Sequence, residues 1–235
     1  MTVGVPAPAN PPLVVMTDDG PDGLAAAPAV AALQAMGLAV RFRELPFARL
    51  YHELHQGDID VALSVLKTPG RAGRAHYSAP IVTEFTLLLT ARPDAHPVRC
   101  VEDLAALRIG GRLGFAYPLV DGIALPLVRE NSYERLIDRA ATGSLDAALL
   151  GSVTGPWLAR RLGHADSVVA LTASVGSAPI GAGLSLARFD ANDLAEFDRQ
   201  VAAFKAGPRW RKLAGEFAPG DALRQWPVMP FCRDR

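Results

Sequence analysis

The sequence predicts an α/β protein of two lobes, on three observations. The chain has 235 residues, more than one typical domain needs, and 50% of them are hydrophobic. Segments with the two-residue period of β-strands alternate with segments that have the 3.6-residue period of α-helices. The polar stretch 92–97 interrupts this alternation, which then begins again. We therefore expect a second α/β lobe to begin near residue 92.

Six elements are predicted before this break. They are a strand at 14–17, a helix at 24–36, a half-exposed strand at 38–43, a helix at 47–54, a buried strand at 59–66 and an apolar segment at 81–90. The run at 59–66 is almost continuously apolar, which is typical of a strand buried on both faces of a parallel sheet. Residues 1–12 are interpreted as a Pro/Ala-rich lead-in without an element of its own.

The second α/β series starts again from an apolar segment. It comprises segments at 101–107 and 108–113, a helix at 132–141, a strand at 146–150, a helix at 157–162, a return strand at 181–187 and helices at 194–204 and 208–217. The helix at 132–141 is predicted because Leu136, Ile137 and Ala140 share one face. Pro208 opens the last helix, because a proline is tolerated in the first helical turn.

Composition excludes several classes of partner. Lysine plus arginine and aspartate plus glutamate each total 24, so the net charge is zero and no basic field is available for nucleic acid. The longest apolar runs are far shorter than the roughly 20 residues that span a bilayer, so no membrane insertion is expected. Residues 1–12 lack the pattern of a secretory signal, so either a signal was removed or the protein stays inside.

The two cysteines give no metal site. Cys100 and Cys232 stand alone, without CxxC or His/Cys spacing, so neither a metal nor another cofactor is expected. One disulfide between them and two free thiols remain equally open, because sequence separation says nothing about geometry.

Two loops follow predicted strand ends, where ligands of open α/β sheets bind. Asp18 and Asp19 follow the strand at 14–17, and the segment Thr68–Arg71 follows the strand at 59–66. Both loops are candidate binding loops; for the two aspartates, a solvated turn is the alternative.

Three motifs in order carry a resemblance to a known family. The run from Gly57-Asp58-Ile59-Asp60 through Thr68-Pro69-Gly70-Arg71 to Tyr77-Ser78-Ala79-Pro80 resembles the extracellular solute-binding proteins of family 3, the polar amino acid receptors of ABC importers. Its members have Gly-x-x-Asp, an apolar strand, Thr-x-x-Arg and an aromatic-Ser-x-Pro stretch in this order. The second lobe is similar to the family at Gly143-Ser144-Leu145-Asp146-Ala147, and the resemblance covers about 12–217.

The resemblance implies a type II periplasmic-binding-protein fold. Lobe one would comprise residues 1–91 and 190–235, lobe two residues 92–189, each with a mostly parallel sheet flanked by helices and with the ligand in the cleft between the lobes. It implies a periplasmic monomer that captures a small polar, carboxylate-bearing metabolite and delivers it to the membrane permease of an ABC importer. Binding without chemistry is the expected activity.

The resemblance also assigns candidate ligand-binding residues in the first lobe. Arg71 corresponds to the arginine that pairs bidentately with the ligand's α-carboxylate, a role that suits a planar guanidinium. Ser64 and Leu66 match positions that offer a hydroxyl or backbone groups, although a purely structural role in the strand is the alternative. Thr68 is expected either to donate to the carboxylate or only to cap the following turn. Asp18 and Asp19 match the exit loop of the family's first strand.

Candidates in the second lobe depart from the family pattern. Phe115, Ala116 and Tyr117 stand where the family often has paired threonines, so they would stack on the ligand or belong to the core. Gly151 stands where amino acid binders carry the aspartate that pairs with the α-ammonium. Since a buried ammonium without a partner costs several kcal/mol, we expect either compensation by Ser152 or Asp19, a ligand without that amine, or a site that has lost transport function.

Two alternatives to transport follow from the same resemblance. The family includes cyclohexadienyl dehydratases, for which Glu84, Glu130 or His76 would serve as general acid, although no spacing singles one out. The fold also serves as a ligand-sensing module, which here would act through a separate partner protein.

Overall fold

The structure is a computed structural model. It describes residues 1–91, 93–94, 98–113, 115, 117–123, 125–218, 220 and 222–232. The strands are β1 Thr2–Pro6, β2 Val15–Thr17, β3 Gly20–Asp22, β4 Arg41–Leu45, β5 Val61–Leu66, β6 His76–Tyr77, β7 Val82–Thr90, β8 Ile109–Arg112, β9 Val128–Glu130, β10 Ala147–Gly151 and β11 Val169–Leu184. The α-helices are α1 Ala26–Ala35, α2 Phe47–Gln56, α3 Pro118–Asp121, α4 Tyr133–Ala141, α5 Thr154–Arg161, α6 Ala191–Ala206 and α7 Pro208–Phe217. Strands and helices alternate through most of the chain, which confirms the predicted α/β class.

The chain divides into two compact units. Unit 1 comprises the described residues within 1–83 and 179–220, and unit 2 those within 84–178 and 221–235. The division differs from the predicted lobes in two ways. It falls inside β7 and β11, which continue from one unit into the other, and the C-terminal segment belongs to unit 2. The second difference has a physical cause, because Val101 donates to the carbonyl of Pro230 and Cys232 is bonded to Cys100.

The unit 1 sheet is built on β1. β1 pairs in parallel with β4 and β5, β5 pairs antiparallel with β11, and β6 also pairs with β11. The interpretation of residues 1–12 as a lead-in is therefore wrong: Thr2–Pro6 is a fully buried strand. Gly4 permits this burial, because a Cβ there would lie 2.5 Å from side-chain atoms of Leu50 and Ile59.

Helices cover the unit 1 sheet through apolar faces. α2 buries Leu50 and Leu54 and ends at Gly57, whose φ of +83° favours glycine. α1 packs against α6, and the side chain of Asp190 caps α6 by accepting from the amides of Asn192 and Asp193. The strand predicted at 14–17 exists as β2, but among the described residues it pairs with β3 alone, in a separate hairpin.

Unit 2 has the strand order β11-β7-β10-β8-β9. β10 pairs antiparallel with β7 and parallel with β8, and β8 pairs parallel with β9. One apolar cluster includes Leu136 and Ile137 of α4, and another includes Tyr117 and Val120. The predicted return strand at 181–187 covers only the end of β11, which begins at Val169 and ends at Leu184.

The fold has two further features. A disulfide joins Cys100 to Cys232, with a Cα–Cα distance of 5.2 Å, and decides the question that the sequence left open. Among the helices of the described residues, none combines the length and the apolar character that crossing a membrane requires.

Candidate functional site

Arg71 lies on an aromatic platform in unit 1. Its half-buried side chain places the guanidinium carbon 3.5 Å from the ring centroid of Tyr51, a cation–π contact. Its Nη1 also donates to the carbonyl of Leu66 at 3.3 Å. Within the described residues, Arg71 forms no ion pair with a carboxylate. Stacking therefore holds a planar cation in place while its remaining donors are not engaged by an acidic side chain.

Tyr51 joins this arginine to the end of β5. Its hydroxyl accepts from the amide of Leu66 at 2.8 Å, so the last residue of the strand is held from the side of α2. Burial raises the pKa of Tyr51, and the hydrogen bond from Leu66 and the charge of Arg71 oppose that rise. The sequence did not predict Tyr51 as a site residue. Its place four residues after Phe47, on the same face of α2, was a signal that could have identified it.

A neutral histidine borders the same cluster. Nε2 of His55 lies 3.0 Å from the hydroxyl of Tyr77. Burial and the charges of Arg74 and Arg71 lower the pKa of His55, so the imidazole is uncharged at neutral pH. His55 therefore adds no positive charge beside Arg71 and Arg74 at neutral pH.

Ser64 has an unusual backbone for a residue inside a strand. Its φ is +55°, in the left-handed region, and it is the one non-glycine residue with positive φ in the part of the chain that the structure describes. Its side chain is buried, with 6% exposure, and its Oγ has no hydrogen-bond partner among the described residues. Such strain and an unsatisfied hydroxyl are features that cluster at functional sites.

Thr68 begins the short 3₁₀ turn Pro69–Arg71. Its carbonyl accepts from the amides of Arg71 and Ala72, at 2.9 and 3.0 Å, but its side chain does not cap the turn. The turn brings Arg71 back to Leu66, so the structure brings Leu66, Thr68 and Arg71 together at one end of β5.

Asp18 and Asp19 are located differently from the prediction. They form the exposed turn between β2 and β3, and this hairpin is separate from the main sheet. The first strand of the sheet is β1, so its exit loop begins at Ala7 and not at Asp18. The sequence indicates no strand before residue 14, because β1 is short, so the predicted exit loop belongs to β2.

We expect neutralising both aspartates to change little. In the variant Asp18→Asn/Asp19→Asn, exposed side chains without buried contacts are exchanged for isosteric ones, so the free energy of unfolding should stay within about 0.5 kcal/mol of wild type. Urea unfolding measures it. A larger loss would show that the hairpin turn has contacts beyond those described.

Gly151 of unit 2 faces a carboxylate. A Cβ on Gly151 would lie within 2.5 Å of the carboxyl carbon and both oxygens of Glu84, so the Glu84 side chain fills the space that a side chain at position 151 would enter. Oε1 of Glu84 accepts from the amides of Val153 and Thr154, at 3.3 and 2.8 Å. The position expected to lack an acid therefore has one directly beside it.

Ser152 does not supply the missing charge. Its Oγ accepts from the amide of Phe85 at 3.2 Å and donates to the carbonyl of Ala222 at 3.1 Å. The residue is fully buried, with 0% exposure. Both contacts are within unit 2, so the hydroxyl of Ser152 is committed to structure.

The two aromatic candidates of unit 2 differ. Tyr117 is buried in the core, and its hydroxyl accepts from the amide of Arg112 at 2.9 Å, which favours the structural interpretation. Phe115 keeps 40% exposure and meets the ring of Tyr133 edge-on, with centroids 5.9 Å apart. Ala116, which the sequence analysis placed between these two aromatic residues at the same family position, lies outside the described residues.

The three candidate general acids are not equivalent. Glu130 is paired with Arg135 and Arg139, and the hydrogen bond from Arg139 leads the contacts that lower its pKa. Burial raises the pKa of Glu84, and the amide bonds from Thr154 and Val153 oppose that rise only in part. His76 is half-buried in β6 of unit 1. Of the three, Glu84 is the carboxyl whose environment favours its protonated form.

The free energy of unfolding of Glu84→Gln, compared with wild type at several pH values, should reveal this environment. Because burial raises the folded-state pKa of Glu84 above its unfolded value, Glu84 costs no stability at low pH, and the wild type loses stability as the pH rises through the folded-state pKa. The glutamine stays neutral, so the variant should gain stability relative to wild type as the pH rises from the unfolded-state pKa of Glu84 to its folded-state pKa. Urea unfolding across this range is the measurement, and parallel curves would contradict the assignment.

Residues 1–219 match the family model described as bacterial extracellular solute-binding proteins, family 3. No curated protein matches the chain. A histidine kinase sensor domain with similarity to periplasmic binding proteins is 21% identical, with a TM-score of 0.73, and the alignment covers 93% of this chain and 95% of that one.

Two other solved structures are similar over most of their length. An ancestral amino acid-binding protein, described as a precursor of cyclohexadienyl dehydratase, is 20% identical with a TM-score of 0.70, covering 92% of this chain and 94% of that one. A substrate-binding protein of an ABC uptake transporter from Streptococcus pneumoniae, with bound histidine, is 13% identical with a TM-score of 0.73, covering 96% and 94%. These likenesses confirm the predicted periplasmic-binding-protein fold.

Proposed function

Because the chain belongs to the bacterial extracellular solute-binding proteins of family 3, as its motifs predict, we propose that it captures a small polar metabolite with a carboxylate group for an ABC importer. Arg71 binds the carboxylate. Ser64, Leu66 and Thr68 contribute a hydroxyl and backbone groups from the same end of β5. The protein acts as a monomer outside the cytoplasm, and its protein partner is the membrane permease of the importer.

One observation carries the proposal: the stacked guanidinium of Arg71. A planar cation held 3.5 Å from an aromatic centroid is oriented before any ligand arrives. Preorganisation of this kind strengthens binding, because little side-chain entropy is lost when the ligand docks. Arginine offers two parallel donors to a carboxylate, and no acidic side chain of the described residues competes for them.

The buried hydroxyl of Ser64 supports the same location. An unpaired buried hydroxyl costs free energy, which a ligand acceptor would relieve. The relative from Streptococcus pneumoniae has histidine bound, which is a small molecule with a carboxylate. The Cys100–Cys232 disulfide supports a location outside the cytoplasm, since disulfides persist in oxidising compartments.

A thermal-shift screen of the purified protein tests the proposal. The panel contains amino acids, simple carboxylic acids, polyamines and prephenate, each at several concentrations. A ligand at 100 times its dissociation constant should add about 2.7 kcal/mol to the free energy of unfolding and raise the melting temperature. Stabilisation by carboxylates with stoichiometric saturation supports the proposal. Stabilisation by polyamines alone, or by none of the panel, contradicts it.

A second candidate function is an elimination reaction, favoured by the buried Glu84. Burial raises the pKa of Glu84, and its protonated form would donate the proton to a leaving hydroxyl, which departs as water while a carboxylate of the substrate leaves as carbon dioxide and supplies the electron pair of the new double bond. Prephenate is the probe for this activity. Turnover that is lost in Glu84→Gln would support an enzyme, whereas saturable binding of prephenate or another carboxylate without product formation would support the binding protein.

A further inference from the structure

A carboxylate lies beside the disulfide of unit 2. The sulfur atoms of Cys100 and Cys232 and a carboxylate oxygen of Glu102 all lie within 4.8 Å of one another. Among the residues that the structure describes, this is the one group of three or more cysteine, histidine and acidic side chains whose ligand atoms meet in this way. Glu102 and Cys232 are exposed, so the group can be reached from solvent.

Contacts other than the disulfide hold the two cysteine-bearing segments together. The amide of Val101 donates to the carbonyl of Pro230 at 2.9 Å, and the amide of Met229 donates to the carbonyl of Ser174 at 2.8 Å. Met229 is also buried, in the same apolar cluster as Val101. These contacts do not depend on the S–S bond, so we expect both thiols to stay beside Glu102 when the bond is reduced.

The backbone orients the members of the group. Oε2 of Glu102 accepts from the amide of Cys232 at 2.8 Å, and one such bond leaves a carboxylate with lone pairs for a second partner. The amide of Cys100 donates to Oδ2 of Asp103 at 3.0 Å. Hydrogen bonds of this kind orient the ligands of metal sites. The three side chains are therefore held in place from the protein side.

The donor atoms match the coordination chemistry of zinc. Thiolate sulfur and carboxylate oxygen both bind Zn²⁺, at about 2.3 Å and about 2.0–2.2 Å. On a tetrahedral ion, donors at these distances lie roughly 3.5–4 Å apart, so small side-chain movements close the group on a metal. A disulfide offers no thiolate, and the thiolate is the form of cysteine that binds metals. The group therefore becomes a set of three zinc ligands only after reduction.

We propose that Cys100, Glu102 and Cys232 bind Zn²⁺ in the reduced protein, so that zinc and the disulfide are alternative cross-links between the same two segments. A dithiol reductant supplies two electrons and two protons, the S–S bond breaks, and the reductant becomes a disulfide. Zinc then binds both sulfur atoms as thiolates, and the two thiol protons pass to solvent. Exchange with the disulfide of an oxidoreductase takes up the two electrons, re-forms the S–S bond and releases Zn²⁺. The site lies within unit 2 and is independent of the ligand of the proposed function.

Zinc binding by the full chain in its two redox states tests the proposal. A phosphine reduces the disulfide, is itself oxidised to the phosphine oxide, and leaves the metal to the protein. Competition with a chromogenic zinc chelator gives the stoichiometry and the affinity. We expect one zinc ion per reduced chain, none per oxidised chain, and release of the metal when the disulfide is re-formed. Co²⁺ in place of zinc should give the visible absorption of tetrahedral cobalt–thiolate coordination in the reduced protein alone.

Three variants assign the ligands. Glu102→Gln keeps an oxygen acceptor for the amide of Cys232 but removes the carboxylate. Its zinc affinity should fall by at least the roughly 10–100-fold that loss of an outer-shell partner costs. Cys100→Ser/Cys232→Ser should bind no zinc under either redox condition. Glu216→Gln is the matched control, because Glu216 is an exposed glutamate of α7 in unit 1, and it should leave the zinc affinity unchanged.

Circular dichroism of the same samples keeps the test decisive if reduction unfolds the chain. In that case zinc should restore the folded signal of the wild type but not that of Glu102→Gln, because metal binding is coupled to folding. In concentrated urea the reduced chain should lose its zinc, since only the fold brings the two cysteines to Glu102. Absence of zinc from the reduced protein, equal binding by the oxidised protein, or an affinity that neither Glu102→Gln nor urea changes overturns the proposal.

Discussion

Reduction of the Cys100–Cys232 disulfide should lower the free energy of unfolding by about 5 kcal/mol, the largest effect on stability that we expect from one change. The bond joins residues separated by 132 positions. In the chain-entropy account, a cross-link that closes so long a loop removes much of the conformational freedom of the unfolded chain. Most of the effect therefore lies in the unfolded state, although the bond also holds the C-terminal segment on unit 2.

Urea unfolding with and without a reductant measures this loss. The double variant Cys100→Ser/Cys232→Ser is the matched control, because it should show the lower stability under both conditions and no response to the reductant. The amide of Cys232 also donates to Glu102 at 2.8 Å, a contact that survives reduction and limits fraying. A loss of less than about 1 kcal/mol would show that the unfolded chain is already compact without the bond.

Arg71→Ala should weaken carboxylate binding by roughly 30-fold to several thousand-fold, because truncating one partner of a buried, hydrogen-bonded charge pair costs about 2–5 kcal/mol. The alanine also removes the cation stacked on Tyr51. Arg71→Lys should recover part of the affinity only, since an ammonium supplies the charge but not the planar pair of donors. Calorimetric titration with the best carboxylate of the screen measures these changes.

Arg74→Ala is the matched control for this experiment. Arg74 is an exposed arginine three residues further along the same loop, and its removal takes away a similar charge. The dissociation constant of the carboxylate from Arg74→Ala should stay within about threefold of the wild-type value, since single exposed charges contribute little. Equal losses in Arg71→Ala and Arg74→Ala would mean that the general positive charge of the loop matters and that no specific carboxylate contact exists.

Much of the fold could be predicted because its signals are local. The amphipathic α2 and the apolar β5 were predicted within about two residues, since each forms an uninterrupted pattern. β1 was missed because a five-residue strand with Gly4 and Pro6 has no clear period, and burial on both faces came from its partners. β11 was shortened because Gly176 and Pro179 break its apolar pattern.

In the candidate site, too, only the locally encoded part could be predicted. The end of β5 was predicted because Thr68 and Arg71 belong to one short motif, and a local turn brings them together. The pair of Glu84 and Gly151 could not be predicted, because the two residues meet only through the pairing of β7 with β10. A glycine in the sequence indicated a missing acid, and only the three-dimensional structure identified the acid beside it.

The division of the chain has a consequence for the order in which the protein can assemble. Unit 1 lacks part of β11 and all of α6 until residues 179–220 have been made, and unit 2 lacks its disulfide partner until residue 232. A chain that emerges from its N-terminus first therefore cannot complete either unit early. Contacts between such distant segments form slowly, so nearly the whole chain stays accessible to chaperones before it folds.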